Sequence, residues 1–252
     1  MSDRLNLAQY RETPDEIART RDLVSLVPKN RRTVLDIGAR DGHFSRILAE
    51  YFEVVTALDV VKPNFRFEHV DTVQGDVTDL QYADNTFDVV FCTEVLEHIL
   101  ALEKACAEIA RVARYEVVIG VPYRQETRIG RTTCDHCGKC NPPWGHINVF
   151  DEQRLQRLFP RLSTVTTSFV GSTRESTNWM ATRLMDFAGN PWGVYEQEES
   201  CIYCGEHMRP SSGRSLLQKI SAAASVRLTL LQTRLASPHA NWIHVVLRKE
   251  NV

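Results

Sequence analysis

The segment Val34–Ser45, VLDIGARDGHFS, constrains this chain more than any other stretch of it. A short apolar run gives way to a turn holding Gly38 and Gly42, then to an amphipathic helix. A single acid, Asp36, interrupts the apolar run two residues before the first glycine. A carboxylate in that position costs desolvation free energy unless a partner meets it. An acid beside a strand-to-helix turn suits a ligand with amines or hydroxyls, held at the strand's carboxyl end. The glycines let the backbone turn tightly and approach such a ligand. Their spacing, Asp-x-Gly-x-x-x-Gly, is not the Gly-x-Gly-x-x-Gly of dinucleotide folds, and there is no Gly-x-x-x-x-Gly-Lys phosphate loop. Arg40 stands where a middle glycine would let a pyrophosphate reach the helix. The turn therefore fits a nucleoside-like ligand without a pyrophosphate. The plain alternative is an ordinary strand–helix unit.

The following residues repeat the rhythm. Phe52–Asp59 reads as a second strand ending in an acid, 21 residues after Gly38, about the spacing at which an acid meets a ribose diol in open α/β folds. A third strand, Val70–Val73, leads to Gly75-Asp76-Val77. Phe87–Thr93 is a continuous apolar strand followed by Glu94-Val-Leu-Glu-His98. Ala101–Ala113 has helical apolar spacing, and Tyr115–Val121 is a fifth strand. Strands alternating with helices predict a parallel sheet covered on both faces, with ligands at the carboxyl ends. Leu162–Val170 and Trp242–Leu247 complete a set of seven strands.

Taken together, VLDIGARDG, the acid at Asp59, GDV at 75–77 and FDVVFCTEVLEHI at 87–99 resemble the class I S-adenosylmethionine-dependent methyltransferases, nearest to the type 11 group. The resemblance covers about residues 14–125 and implies a Rossmann-like, seven-stranded, mostly parallel α/β sheet. It implies an N-terminal helical segment at 1–30 and a cofactor-binding core at 31–125. It places Asp36 by the cofactor's amino-acid end and Gly38 under the cofactor, with Arg40 and Gly42 in the same turn. By the same likeness Asp59 binds the ribose hydroxyls, Asp76 the adenine amine, and the Val77 backbone the ring. Cys92, Thr93 and Glu94 would lie along the methionine portion. Arg40 departs from the family's usual glycine, which bears on the shape of the turn.

Thirty basic against thirty-two acidic side chains give a net charge of −2, which offers no general drive toward nucleic acid. The polar N-terminus lacks a signal-peptide core, and no apolar run approaches a membrane span. A cytoplasmic protein is expected, and in that compartment paired cysteines suggest a metal rather than disulfides.

Cys134-x-x-Cys137-Gly138 and Cys201-x-x-Cys204-Gly205 form two such pairs. Each can point two sulfurs at one ion, and together they supply four thiolates for a closed tetrahedral zinc site. Such a site has no open position, so its expected role is structural. Cys140 or His136 could replace one ligand, and Cys134, Cys137 and Cys140 also resemble the start of an iron–sulfur motif. Cys92 and Cys106 read as core residues.

The expected domains continue with a knuckle, substrate-side loop and sixth strand at 126–172, an insertion at 173–240 and a last strand at 241–252. Asn141-Pro-Pro-Trp144 mimics an amine-methylation motif, but it follows the fifth strand rather than the fourth and reads as loop packing. The segment from Gly145 resembles the one after the fifth strand in type 11 enzymes, where a His-x-x-x-Phe stretch borders the active site. That makes His146 the leading candidate for a base or substrate-orienting group, with Tyr123 second and a purely backbone-bonding His146 as the alternative. His98 could face the pocket. Asp151 should cap a helix over Glu152–Phe159. The insertion carries an aromatic stretch, Trp179 to Tyr195, expected as core or as a substrate lid. It also holds a helix at about 213–236, on which Leu217, Ile220, Ala224, Leu228, Leu231 and Leu235 share helical spacing. That stripe is expected to pack on the domain, with a dimer seam as the alternative.

The expected activity is methyl transfer from S-adenosylmethionine to a small-molecule, sugar or lipid-linked acceptor, with zinc as a second bound group. Two other readings are RNA methylation with a zinc-stabilised module, and a non-catalytic zinc interaction module.

Overall fold

The computed structural model describes residues 7–210 and 213–250. Its helices are α1 (Leu7–Arg11), α2 (Pro14–Leu26), α3 (His43–Leu48), α4 (Leu102–Val112), α5 (Glu152–Leu158), α6 (Trp179–Phe187) and α7 (Leu216–Leu235). The strands are β1 (Thr33–Ile37), β2 (Val54–Asp59), β3 (Val70–Gln74), β4 (Phe87–Thr93), β5 (Ala113–Pro122), β6 (Thr132–Thr133), β7 (Cys140–Asn141), β8 (Leu162–Val170) and β9 (Trp242–Lys249). The chain divides into two compact units.

The first unit, Ile17–Tyr123 with Phe150–Gly171 and Asn241–Val252, holds a seven-stranded sheet in the order β3-β2-β1-β4-β5-β9-β8. The pairs among β1 to β5 are parallel, and β9 runs antiparallel to both β5 and β8. All seven strands fall where the sequence placed them. The strands β1 and β4 are buried along their whole length save for half-buried Thr33, Asp36 and Asp88 included, because layers cover both faces of a central parallel strand. Val34, Val55, Val89, Phe91, Val118 and Val246 form one buried cluster with Leu23 of α2. The buried stripe of α4, Leu102, Ala105, Cys106, Ile109 and Val112, is the one its spacing predicted. Asp151 caps α5 as expected, its carboxylate accepting from the Arg154 amide at 2.8 Å.

The second unit comprises Met1–Glu16, Arg124–Val149 and Ser172–Ala240. It contains the β6–β7 ribbon and the α6–α7 pair. The ribbon is too short to show as strand periodicity. Ser215 and Gln218 form a reciprocal capping box at the start of α7.

Packing of α7 reverses the sequence expectation. Ser221, Ala222 and Ser225 are its buried residues. Hydroxyls on that side bond to α6 and the residues before it: Ser221 Oγ donates to Leu184 O at 2.8 Å, Ser225 Oγ to Ala181 O at 2.6 Å, and Thr233 Oγ1 to Ser176 O at 3.1 Å. The leucine stripe points the other way: Leu217, Ile220, Leu231 and Leu235 are exposed, while Ala224 and Leu228 are half-buried. Small side chains let the two helices approach, and their hydroxyls find carbonyls across the seam. Periodicity identified a face but not the side on which it packs. The aromatic stretch is likewise not core, since Trp179, Met180, Phe187 and Trp192 are exposed and Tyr195 is half-buried.

Candidate active site and cysteine cluster

In the sheet unit, strand order reverses between β1 and β4, the place where open α/β sheets form a ligand crevice. Asp36, Asp59 and Asp76 stand at or just beyond the carboxyl ends of three adjacent strands. Asp36 is buried at 3 % exposure and accepts a 2.5 Å hydrogen bond from Ser45 Oγ of α3. That serine answers part of the desolvation cost noted in the sequence, and the nine-residue separation explains why it was not singled out. Burial still dominates: it pushes the Asp36 carboxyl up to about 7, the Ser45 bond opposing it and the charge of Asp59 adding to it.

The turn after β1 is built from left-handed backbone, with φ of 81° at Gly38, 45° at Arg40 and 81° at Gly42. Gly38 N and Ala39 N both donate to Leu58 O, at 2.8 and 3.1 Å, tying the turn to the end of β2. Arg40 keeps the turn's shape without a glycine because its amide donates to Asp59 Oδ2 at 2.9 Å. The other Asp59 oxygen accepts from Val61 N at 3.4 Å, so the carboxylate is oriented by backbone. Beyond β3, exposed Asp76 is fixed by the amide and hydroxyl of Thr78, both at 2.8 Å on Oδ1. Those two bonds hold its carboxyl below the usual range. Val77 beside it is buried.

A Cβ at Gly38 would lie 2.3 Å from Val95 Cγ2, in a backbone region that L-residues avoid. Gly38→Ala should lose roughly 2–4 kcal/mol of stability, read from urea unfolding midpoints. An unchanged midpoint would show that the turn relaxes and that neither strain nor contact matters.

At the end of β4, Cys92 and Thr93 are buried, and Glu94 takes φ 55° while its amide donates to Gly120 O at 3.0 Å. Its carboxylate lies 3.3 Å from Arg19 of α2. Glu97 was not singled out from sequence, yet it is fully buried, and neither carboxylate oxygen has a hydrogen-bond partner among the described residues. Burial, then the charge of Glu94, holds its carboxyl well above the usual range. The acid pair spaced three apart in EVLEHI was the available signal. Burial, then the charge of Arg40, lowers the pKa of His98.

Tyr123, just past β5, is buried; its hydroxyl donates to Glu152 Oε1 at 3.0 Å and its ring meets Phe169 edge-on at 5.0 Å. His146 belongs to the other unit. It is buried, and its Nδ1 lies 2.6 Å from Gln125 Oε1.

The second unit brings Cys134, Cys137, Cys201 and Cys204 together, all four sulfurs within 4.8 Å of one another. The Cys134–Cys204 and Cys137–Cys201 sulfur separations are 3.7 and 3.6 Å. The two knuckles are copies of one turn. Gly138 N donates to Cys134 O at 2.9 Å and Gly205 N to Cys201 O at 2.8 Å, with φ of 70° and 76° at the glycines. Asn141, first residue of Asn-Pro-Pro-Trp, is buried between them. It accepts from Ile202 N at 2.9 Å, and its Nδ2 lies 3.5 Å from Cys201 Sγ. The motif thus organises the cluster, in keeping with loop packing. Cys140 stands apart, its sulfur 3.6 Å from Asp186 Oδ1 and 3.4 Å from Asn190 Nδ2, and His136 is exposed.

Residues 35–119 match the methyltransferase domain family. Among curated relatives, an uncharacterized methyltransferase of Bacillus subtilis, YcgJ, is 29 % identical over 138 residues, half of this chain and 54 % of that one. A demethylmenaquinone methyltransferase of Renibacterium salmoninarum is 35 % identical over 103 residues, 37 % of this chain and 40 % of that one. The chain thus spans about half the length, or less, of these relatives. The crystal structure of YcgJ superposes with a TM-score of 0.56 at 13 % identity, covering 94 % of this chain and 99 % of the other, a likeness of fold. Sheet order and sequence match agree: residues 35–119 form a methyltransferase domain, set in a sheet of the class I, S-adenosylmethionine-dependent type.

Proposed function

We propose that the chain transfers a methyl group from S-adenosylmethionine to a small-molecule, sugar or lipid-linked acceptor, and that a structural zinc ion closes its cysteine cluster. The observation that carries the first part is the row of carboxylates at the ends of β1, β2 and β3, beside the reversal of strand order. Its acceptors suit the cofactor: Asp59 is oriented for hydroxyls, Asp76 is held ionised for an amine donor, and Asp36 is a buried acceptor for an ammonium group. Thr93 and Glu94 would flank the methionine portion. When bound, S-adenosylmethionine supplies a methyl group made electrophilic by the adjoining sulfonium. The protein's task in an in-line displacement is alignment and exclusion of water. A base matters only where the acceptor atom carries a tightly held proton. His146 is proposed for that role on its sequence position and its Gln125 bond, and Tyr123 as a positioning group through Glu152.

The relative named for demethylmenaquinone favours a small or lipid-linked acceptor over a nucleic acid, as does the net charge of −2. Calorimetry with S-adenosylhomocysteine tests cofactor binding directly. Asp59→Ala should weaken it about 100-fold, the loss of two hydrogen bonds to a charged group. Folded wild-type protein that binds no S-adenosylhomocysteine would defeat the assignment. Labelled methyl transfer into fractionated extract would identify the acceptor class, and binding without transfer to any fraction would favour the non-catalytic reading.

A further inference from the structure

The outward side of α7 is unusual for a helix in a folded unit. Leu216, Leu217 and Leu235 are 73 %, 69 % and 76 % exposed, and Ile220, Leu230 and Leu231 are exposed as well. Arg227 and Arg234 lie within this exposed arc and Lys219 at its edge, all three exposed. The inner side carries small and polar groups, so this is not a core face waiting for the rest of its own unit. The neighbouring α6 adds exposed Trp179, Met180 and Phe187. No aspartate or glutamate occurs between Glu206 and Glu250, while Arg209 and Arg214 precede the helix. The α7 helix of a net-acidic chain is therefore both strongly apolar on its outward side and without any acid.

We propose that this face seats the unit on an anionic lipid surface, lying in the headgroup region without spanning the bilayer. The chemistry is complementary on both counts. Leucine and isoleucine gain by leaving water for the acyl boundary, and lysine and arginine reach lipid phosphates from the same helix side. The helix is 20 residues long, but no helix among the described residues is long and apolar enough to cross a membrane. A second copy of the chain fits less well. A symmetric seam would set Lys219, Arg227 and Arg234 of one copy against the same cationic side of the other, with no carboxylate on the helix to offset them.

Vesicle co-sedimentation tests this without cofactor, so its outcome is independent of methyl transfer. The full chain should bind vesicles of phosphatidylglycerol and phosphatidylcholine at least tenfold more tightly than phosphatidylcholine alone, and 0.5 M salt should weaken that binding. Leu217→Glu with Leu231→Glu should reduce it at least tenfold, and Arg227→Gln with Arg234→Gln severalfold. All four positions are exposed, so an unchanged thermal melt verifies the fold of each variant. The proposal is overturned by absence of anionic-vesicle binding, or by binding that both pairs of substitutions leave intact. It is equally overturned by a dimer in sedimentation velocity that the leucine substitutions dissolve, or by poly-uridylate binding at this face without vesicle binding.

Discussion

One zinc ion per chain should accompany protein purified without chelator, and Cys201→Ser should release it. The expectation comes from the sulfur separations. A tetrahedral zinc–thiolate site with bonds of about 2.3 Å has sulfur–sulfur edges of about 3.8 Å. The Cys134–Cys204 and Cys137–Cys201 edges, 3.7 and 3.6 Å, come close to that figure before any ion is considered. Four unbound thiols have no such reason to converge. The knuckles lie more than 60 residues apart in sequence, since Cys137 and Cys201 are separated by 64. One ion would therefore close a long loop and tie the β6–β7 ribbon to the segment around Cys201. Apparent zinc binding in small zinc domains is worth on the order of 10 kcal/mol at neutral pH, much of it folding free energy. Removing one ligand or adding a strong chelator should therefore leave residues around 124–149 and 172–240 open to limited proteolysis. Cys140→Ser is the control: its sulfur bonds Asp186 and Asn190, so stoichiometry should stay at one zinc. Elemental analysis and protease mapping decide the matter. If Cys201→Ser keeps both zinc and stability, the ligand assignment is wrong.

This cluster was legible from sequence because ligand spacing is a local property. Two Cys-x-x-Cys-Gly turns declare themselves whatever surrounds them. The seven strands were legible for a related reason: central parallel strands are buried on both faces and read as apolar runs. What escaped was set by tertiary partners. Ser45 looked like any helix residue until Asp36 was seen to need its hydroxyl. Glu97 sits in an ordinary acid-rich turn and only its burial sets it apart. The stripe on α7 escaped most completely. Its spacing is that of a core face, but serine and threonine hydroxyls on the opposite side find carbonyls of the α6 segment. Hydrogen bonding and small volume, neither visible as hydrophobic period, decided which side packs.

The ligand-free protein should lose stability as pH rises from about 4 to 7, and Asp36→Asn should remove that component. Burial pushes the Asp36 carboxyl up to about 7 in the folded chain, against 3.8 for an unperturbed aspartate. Between those values the folded state binds a proton that the unfolded state has released. Stability therefore falls as pH increases through this window and levels off above the folded value. The displacement from 3.8 to about 7 corresponds to roughly 4 kcal/mol across the window. Other groups titrate too, so the informative quantity is the difference between wild type and Asp36→Asn at each pH. Asparagine can still accept the Ser45 hydrogen bond through Oδ1 but carries no charge. Any packing penalty it brings is independent of pH and enters as a constant. Urea denaturation from pH 4.5 to 8 should show the difference moving in favour of asparagine by several kcal/mol; a difference that stays constant would show that Asp36 is not the strained acid. S-adenosylhomocysteine should narrow that gap, since a tenfold weaker affinity of the variant returns about 1.4 kcal/mol to the wild type. Its ammonium group is proposed to meet this carboxylate, and an opposite charge favours the ionised form. Asparagine cannot ionise, so the variant should gain ligand-free stability at pH 8 and lose about tenfold in ligand affinity. The stability lost by keeping an acid inside β1 would then be the reserve that cofactor binding releases.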